Sequence, residues 1–175
     1  MYFNMFPQIA YDIKGDGEVK AVTNILKRLA IRNELLNDYT IFDRYDVEEG
    51  ETPESIADLV YGDVNLHWIV CYANNIVDRY HDWPMRSMQF LSYINDKYSN
   101  PDGIHHYEIT QQSGSTKVKV NIGPDNTDHS GATAITNFEY EEELQNQKRQ
   151  IKLIDPSFIT EIVSEFQERM KESDV

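Results

Sequence analysis

The stretch from Arg44 to Asn75 constrains the fold of this chain more than any other part of the sequence. It begins as a predicted strand, because Tyr45 and Val47 alternate with charged residues in the period-2 pattern of a half-buried strand. Gly50 follows in the acidic turn Glu-Glu-Gly-Glu, where a positive φ costs a glycine little. A strand and a tight turn therefore open this stretch.

Two short helices are predicted next. Thr52 is a favourable N-cap, and Pro53 suits the first helical turn because it has no N–H to leave unpaired. Gly62 ends the first helix, and Asp63 is placed to cap the second. Apolar residues recur at helical spacing in both helices: Ile56, Leu59 and Val60 in the first, and Leu66, Ile69, Val70 and Ala73 in the second. Helices this short need partners, so we expect them to pack on each other and on the strand.

This stretch resembles a LysM module, in which a strand and a Gly-Asp/Glu-Thr turn precede a helix ending in Tyr-Gly and a helix ending in Ala-Asn. The matching positions are Gly50, Glu51, Thr52, Ile56, Ala57, Tyr61, Gly62, Trp68, Ala73 and Asn74. A LysM module usually closes with a second strand in a Pro-Gly-rich segment, whereas this chain continues as IVDRYHDWPMRS. The resemblance implies a shallow groove for N-acetylated glycans, between the turns at 48–53 and 74–77. Its candidate residues are Glu49, Gly50, Thr52, Trp68, Tyr72, Asn74 and Asn75.

The rest of the chain predicts an α+β fold around this core. A helical stripe over residues 21–33 comprises Val22, Ile25, Leu26 and Leu29. Further elements are expected as a helix from about Ser87, a hairpin of strands at 104–110 and 117–122, a helix at 138–149, a short strand at 151–154 and a helix opened by Asp155-Pro156. The predicted organisation is an N-terminal arm and helix at 1–43, a LysM-like βαα(β) domain at 44–84, a helix with a β-hairpin and loop at 85–137, and a C-terminal helical arm at 138–175.

Composition excludes several classes of protein. The 175 residues carry a formal net charge of −14, from 30 acidic and 16 basic residues, which disfavours nucleic acid and anionic membranes as partners. Mean hydropathy is −0.59, and no run approaches the roughly 20 apolar residues of a membrane-spanning helix. The N-terminal sequence lacks the basic region and cleavage motif of a signal peptide, so none is expected. The one cysteine, Cys71, excludes an internal disulfide and suits a reducing compartment.

The sequence offers few candidate catalytic or metal-binding residues. His67 and Cys71 lie at i and i+4, but no further ligand motif completes a metal site. His105 and His106 are adjacent and would point to opposite faces of a strand. His81 lies in an acid-rich turn without a nucleophile. No phosphate loop, nucleophile elbow or glycosidase pattern is present, so we expect no catalytic residues, no metal, no cofactor and no enzymatic activity.

Both ends of the chain are rich in apolar and aromatic residues. A terminus of this kind usually packs on its own core or on a neighbouring protein, and the pattern leaves both alternatives open. The predicted partner contacts are Tyr2, Phe3 and Phe6 at the N-terminus, and Phe158, Ile162 and Phe166 in the C-terminal helix.

A wider resemblance begins at about Ala21 and covers most of the remaining chain. Its motifs are Tyr45-Asp46-Val47, Pro53-Glu54, Tyr61-Gly62, Trp68, Asn74-Asn75 and Trp83-Pro84. In these motifs the chain resembles the LysM-containing baseplate wedge protein of large contractile-tailed, T-even-like phages. The resemblance implies a structural part of the virion tail baseplate, assembled in the host cytoplasm, which joins other wedge proteins and, as a further option, a copy of itself in a neighbouring wedge. It does not imply sugar binding.

Overall fold

The computed structural model describes residues 2–27, 29, 40–111, 114–115 and 117–171. Within them the strands are β1 (Gln8–Tyr11), β2 (Lys20–Thr23), β3 (Phe42–Asp46), β4 (Ile104–Thr110), β5 (Lys119–Gly123), β6 (Thr133–Thr136) and β7 (Gln150–Ile154). The helices are α1 (Pro53–Tyr61), α2 (His67–Ala73), α3 (Arg79–Asp82), α4 (Ser87–Lys97), α5 (Asn137–Arg149) and α6 (Ile159–Lys171). Short 3-10 turns lie at Tyr2–Met5, Val64–Leu66 and Pro156–Phe158. The predicted α+β class is confirmed.

The chain divides into two compact units. The first comprises residues 1–47, 51–82 and 151–175, and the second comprises residues 48–50 and 83–150. This division differs from the four consecutive segments of the sequence prediction, because α5 belongs to the second unit while most of β7 and all of α6 belong to the first. The second unit is thus largely an insertion in the sequence of the first.

Local sequence signals define α1 closely. The Thr52 hydroxyl accepts the Ser55 N–H, while the Ser55 side chain accepts the Thr52 N–H, forming a reciprocal capping box. Gly62 ends the helix in the left-handed region, at φ 70°. The predicted stripe is wrong at Leu59, which is 70% exposed. Ile56 is fully buried as predicted, and Ala57 takes the second buried position in place of Leu59. The helix α2 is in contact with α1.

The first unit closes with a strand that lies far away in sequence. β3 pairs with β7 in a two-stranded sheet. The Asp155 N–H, just after β7, donates to the carbonyl oxygen of Ile41, just before β3, at 2.9 Å. The end of one strand therefore lies beside the start of the other, as in an antiparallel pair. The short strand predicted at 151–154 is confirmed, and it supplies the pairing that the segment after Asn75 lacks.

The predicted N-terminal helix is wrong where the structure describes it. Residues 20–23 form β2, which pairs with β1 in an antiparallel hairpin that sets Val22 opposite Ile9. Two β-branched residues, Val22 and Thr23, favour the strand, and the connection at residues 12–19 returns the chain to pair with β1. Leu26, assigned to the helical stripe, is 84% exposed. Residues 28 and 30–33 of that prediction lie outside the described residues.

The core of the first unit joins three parts of the chain. Its buried members are Phe6, Phe42, Trp68, Ile69, Ala73, Ile154, Phe166 and Met170. They come from the N-terminal segment, the β3–α2 region and the C-terminal β7–α6 region. The apolar stripe predicted for α6 is confirmed, since Phe166 and Met170 are buried and Ile159, Ile162 and Val163 pack against the same cluster.

The second unit contains a three-stranded antiparallel sheet in the order β5-β4-β6. The predicted β4–β5 hairpin is confirmed, whereas β6 was not predicted, because its four residues follow a long turn-rich segment. A capping box between Thr136 and Glu139 starts α5 directly after β6. Phe90 of α4 and Phe138 of α5 meet edge to face, with ring centroids 5.4 Å apart.

Candidate functional site

Trp68, the central residue of the predicted glycan groove, lies in the core of the first unit. It is 7% exposed, and its ring centroid lies 4.7 Å from that of Phe166 and 5.1 Å from that of Tyr2. Tyr72 packs edge to face on Phe166, and burial raises the pKa of its hydroxyl to about 12. Both aromatic candidates therefore serve internal packing.

Asn74 links α2 to β7. Its amide nitrogen donates to the carbonyl oxygens of Val70 and Lys152, and its amide oxygen accepts the Lys152 N–H, each at 2.8 Å. Asn75 follows with φ 54°, a left-handed conformation that asparagine tolerates better than most residues. The Asn-Asn pair thus ends α2 and fixes the closing strand.

Two further groove candidates, Glu49 and Gly50, lie in the second unit, whereas the other five lie in the first. Glu49 accepts the Ser87 N–H at 2.8 Å, and this bond holds the pKa of its carboxyl below the ordinary value. Gly50 has φ 83°, as its predicted turn requires. With Thr52 acting as a helix cap, these candidates have structural roles, and no observation favours glycan binding by them.

The six predicted partner contacts differ in exposure. Phe6 and Phe166 are buried at 9% and 4%, whereas Tyr2, Phe158 and Ile162 are half-buried against the same core. Phe3 is 59% exposed. Partner contact stays a prediction for this set, and Phe3 presents the most accessible side chain in it.

Exposed apolar residues are numerous on the two hairpins. We call β1–β2 with its connection (residues 8–23) the first arm, and β4–β5 with the described part of its connection the second arm. Exposed large apolar residues on the first arm are Tyr11, Ile13 and Val19, and those on the second arm are Ile104, Val118 and Val120. The sequence prediction missed the first arm because its second strand was assigned to a helix.

The two adjacent histidines of β4 correct another prediction. Their Nδ1 atoms lie 2.9 Å apart instead of pointing to opposite faces. The reason is a register shift between Ile104 and His106 against β6, which places His105 in a bulge. His105 stacks on Tyr140, with ring centroids 3.9 Å apart, and His106 Nε2 lies 3.3 Å from the Glu108 carboxylate. The pair thereby helps to pack α5 on the sheet.

Ligand and membrane features were also searched in the described residues. No group of three or more His, Cys, Asp or Glu side chains there is arranged to hold a metal ion. No helix in the same residues has the length and apolar character needed to cross a bilayer. A cleft of about 370 Å³ in the first unit is lined by Tyr2, Trp68, Asp63, Lys171 and other residues of the N-terminal segment and α6.

The strong negative charge and the exposed apolar arms are features typical of a protein that contacts other proteins. The comparison with protein families identifies the class of protein. The model of the family described as base plate wedge protein 53 matches residues 1–129, and the chain belongs to that family. It is therefore a structural component of the phage tail baseplate, located in the virion, and it associates with other baseplate proteins. No curated protein matches the sequence.

The family match covers both arms and the β3–α2 region. It ends before β6, so β6, α5, β7 and α6 lie beyond it. The closing strand and the C-terminal helix are thus features of this structure that the match does not include.

Proposed function

We propose that this chain joins neighbouring wedge subunits of the baseplate through its two arms, without enzymatic activity. The observation that carries the proposal is that each compact unit has an antiparallel strand pair with exposed apolar side chains, β1–β2 in the first unit and β4–β5 of the three-stranded sheet in the second. A protein that joins two others needs two contact surfaces, and a separate surface on each unit meets that need.

The first arm is a ribbon with little support from its own chain. Ile9 and Val22 share one face with Tyr11, which is 55% exposed. The Asp12 carboxylate accepts N–H bonds from Lys14, Gly15 and Gly17 and so organises the tip. An isolated two-stranded hairpin is only marginally stable in water, so burial of this face by a partner would stabilise both the arm and the complex.

The second arm offers alternating apolar and basic side chains. Val118 and Val120 are 51% and 42% exposed, and Lys119 between them lies 3.5 Å from the Glu108 carboxylate. Exposed valines on a strand suit contact with an apolar strand or helix of another protein. This surface differs in charge from the acidic remainder of the chain, which favours a different partner for each arm.

The core of the first unit is the proposed scaffold for these contacts. The order β3, α1, α2 and then a pairing strand β7 supports a LysM-like fold in which the second unit is inserted before the closing strand. The proposed setting is the contractile tail of a T-even-like phage. The proposed partners are other wedge proteins, with a copy of this chain in the adjacent wedge as a further option, and Phe3 is the terminal residue best exposed for contact.

Arm variants test this proposal. We would replace Tyr11 and Val19 by serine in one variant and Val118 and Val120 by serine in another. Met88→Ser serves as the control, because Met88 is 79% exposed on α4 and belongs to neither arm. Each variant is mixed with wedges assembled from the other wedge proteins of the phage, and binding and ring closure are followed by sedimentation velocity.

Each arm variant should still bind a wedge through its intact arm but close rings at least tenfold more slowly than the control. Ring closure at the control rate by both arm variants would contradict the proposal. Far-ultraviolet circular dichroism of each variant checks that the fold is retained.

A further inference from the structure

The segment after α2 presents two apolar side chains to solvent. In residues 76–82, a segment that ends in the single-turn helix α3 and that we call the 76–82 loop, Val77 and Tyr80 are each 82% exposed. Neither residue belongs to the core or to an arm. Such exposure of an aromatic and an aliphatic side chain close together in sequence needs a cause outside the core.

The loop is held rigid by its own carboxylates. Asp82 accepts the N–H groups of Val77 and Asp78 at 3.0 and 2.9 Å. Asp78 accepts the Tyr80 N–H at 2.9 Å and lies 2.6 Å from His81 Nδ1. These bonds fix the backbone on both sides of Tyr80, so its ring is displayed by an ordered loop.

The loop is also tied to α1. The Arg79 guanidinium pairs with the Glu54 carboxylate, which lies in the first turn of α1. The Ile76 N–H donates to the carbonyl oxygen of Cys71 at 2.9 Å and anchors the start of the loop to the end of α2. An exposed side chain on a braced loop loses little entropy on binding, which is the property of a preorganised anchor residue.

The stretch of sequence from the start of α1 to the end of the loop is acidic. Residues 51–82 contain six acidic residues and one basic residue: Glu51, Glu54, Asp58, Asp63, Asp78 and Asp82 against Arg79. Asp58 is exposed and lies one helical turn beyond Glu54 on α1. A loop that carries exposed apolar side chains together with the exposed carboxylates of Asp78 and Asp82 is complementary to an apolar pocket surrounded by lysine and arginine side chains.

We propose that the 76–82 loop docks into a basic-rimmed apolar pocket of another baseplate wedge protein, with Tyr80 and Val77 as the anchors. The inference rests on the proposed function for the identity of the partner. The net charge of −14 also favours such a partner, because it attracts the whole chain toward a basic surface before contact.

The apolar part is tested with the Val77→Ser/Tyr80→Ser double variant and the Met88→Ser control. The probe is the wedge assembled from the other wedge proteins of the phage without this chain. Fluorescence anisotropy of the labelled full-length chain gives Kd. We expect the loop variant to bind at least tenfold more weakly than wild type, and the control to bind within twofold of it.

The charge part is tested with Asp58→Lys, compared with Asp96→Lys on the exposed face of α4. Asp58→Lys should weaken wedge binding at 50 mM salt at least fivefold more than Asp96→Lys does, and the difference should shrink at 500 mM salt. Equal effects of the two substitutions at both salt concentrations would contradict the proposal that basic side chains surround the pocket.

The outcomes separate this inference from the proposed function. If wild type binds the wedge and the loop variant binds equally well, the loop inference fails while the proposed function stands. If wild type does not bind the wedge, both fail. If the loop variant loses only self-association of this chain, the occupant is a second copy and the proposed partner is wrong.

Discussion

Asn74 shows how a single side chain can link parts of a chain that are distant in sequence. One of its hydrogen bonds goes back to Val70 of α2, and the other two join it to Lys152 of β7, 78 residues further along the chain. The sequence motif identified Asn74 as the end of a helix but carried no information on its partner, because Lys152 lies in a strand whose pairing is not local. The role assigned from the glycan-groove resemblance was therefore based on position alone.

The substitution Asn74→Ala tests this link. It leaves the N–H and carbonyl groups of Lys152 without their side-chain partner, so we expect the free energy of unfolding to fall by about 2 kcal/mol. Urea unfolding followed by tryptophan fluorescence measures the change. Asn75→Gly is the matched control and should change stability by less than about 0.5 kcal/mol, because glycine accepts the same positive φ.

Glu141 gives the second unit a pH-dependent contact. Its carboxylate is 2% exposed, and it accepts hydrogen bonds from Lys97 Nζ at 2.6 Å and from the Tyr98 hydroxyl at 2.8 Å. Burial alone would raise the pKa of this carboxyl, but the bonds from Lys97 and Tyr98 hold it below the ordinary value of 4.5. The contact joins α4 to α5 as long as the carboxyl is ionised.

Because the folded-state pKa of Glu141 is lowered, its contribution to stability is present above about pH 4.5 and is lost as the pH falls through the lower folded-state value. Glu141→Gln should therefore destabilise the protein at pH 7, and the difference from wild type should shrink toward pH 3. Thermal unfolding across this range provides the measurement. The exposed-residue control Glu142→Gln should follow the wild-type profile, and a constant difference for Glu141→Gln would contradict the account.

At the scale of elements, the sequence predicted correctly those features that depend on only a few neighbouring residues. The Thr52 cap, Pro53 and Gly62 fixed α1, and the alternating valines fixed the β4–β5 hairpin, since caps and turns act within a few residues. The helix predicted from residue 21 is wrong in its described part, because Val22 and Thr23 gain a strand partner, β1, that the local sequence pattern does not show. The closing strand could be predicted as a strand but not as the partner of β3.

α6 is the element whose role the sequence left open between its own domain and a partner. The structure places Phe166 in the core at 4% exposed, in ring contact with Trp68. Phe166→Ala should lower the free energy of unfolding by about 3 kcal/mol, because it leaves a cavity among aromatic rings. Chemical denaturation measures this loss, and Glu168→Ala on the exposed side of the same helix should have a much smaller effect. Equal effects of the two substitutions would contradict the core assignment.

At the scale of the whole molecule, the resemblance to a baseplate family predicted the type of function, and the composition agreed with it without naming the assembly. A net charge of −14 and the lack of any catalytic motif in the sequence favoured an assembly protein, and the family match agrees. The two-unit organisation could not be predicted, because it depends on which distant strand pairs with β3. The second unit consequently separates β3 from β7 in sequence.

The most direct test of the central claim, that this chain joins neighbouring wedges, is an omission experiment. Wedges assembled from the other wedge proteins of the phage are analysed by sedimentation velocity and negative-stain electron microscopy, before and after addition of the purified chain. The account predicts separate wedges without the chain and closed rings containing it in a fixed ratio after addition. Rings that form equally well without the chain would contradict it.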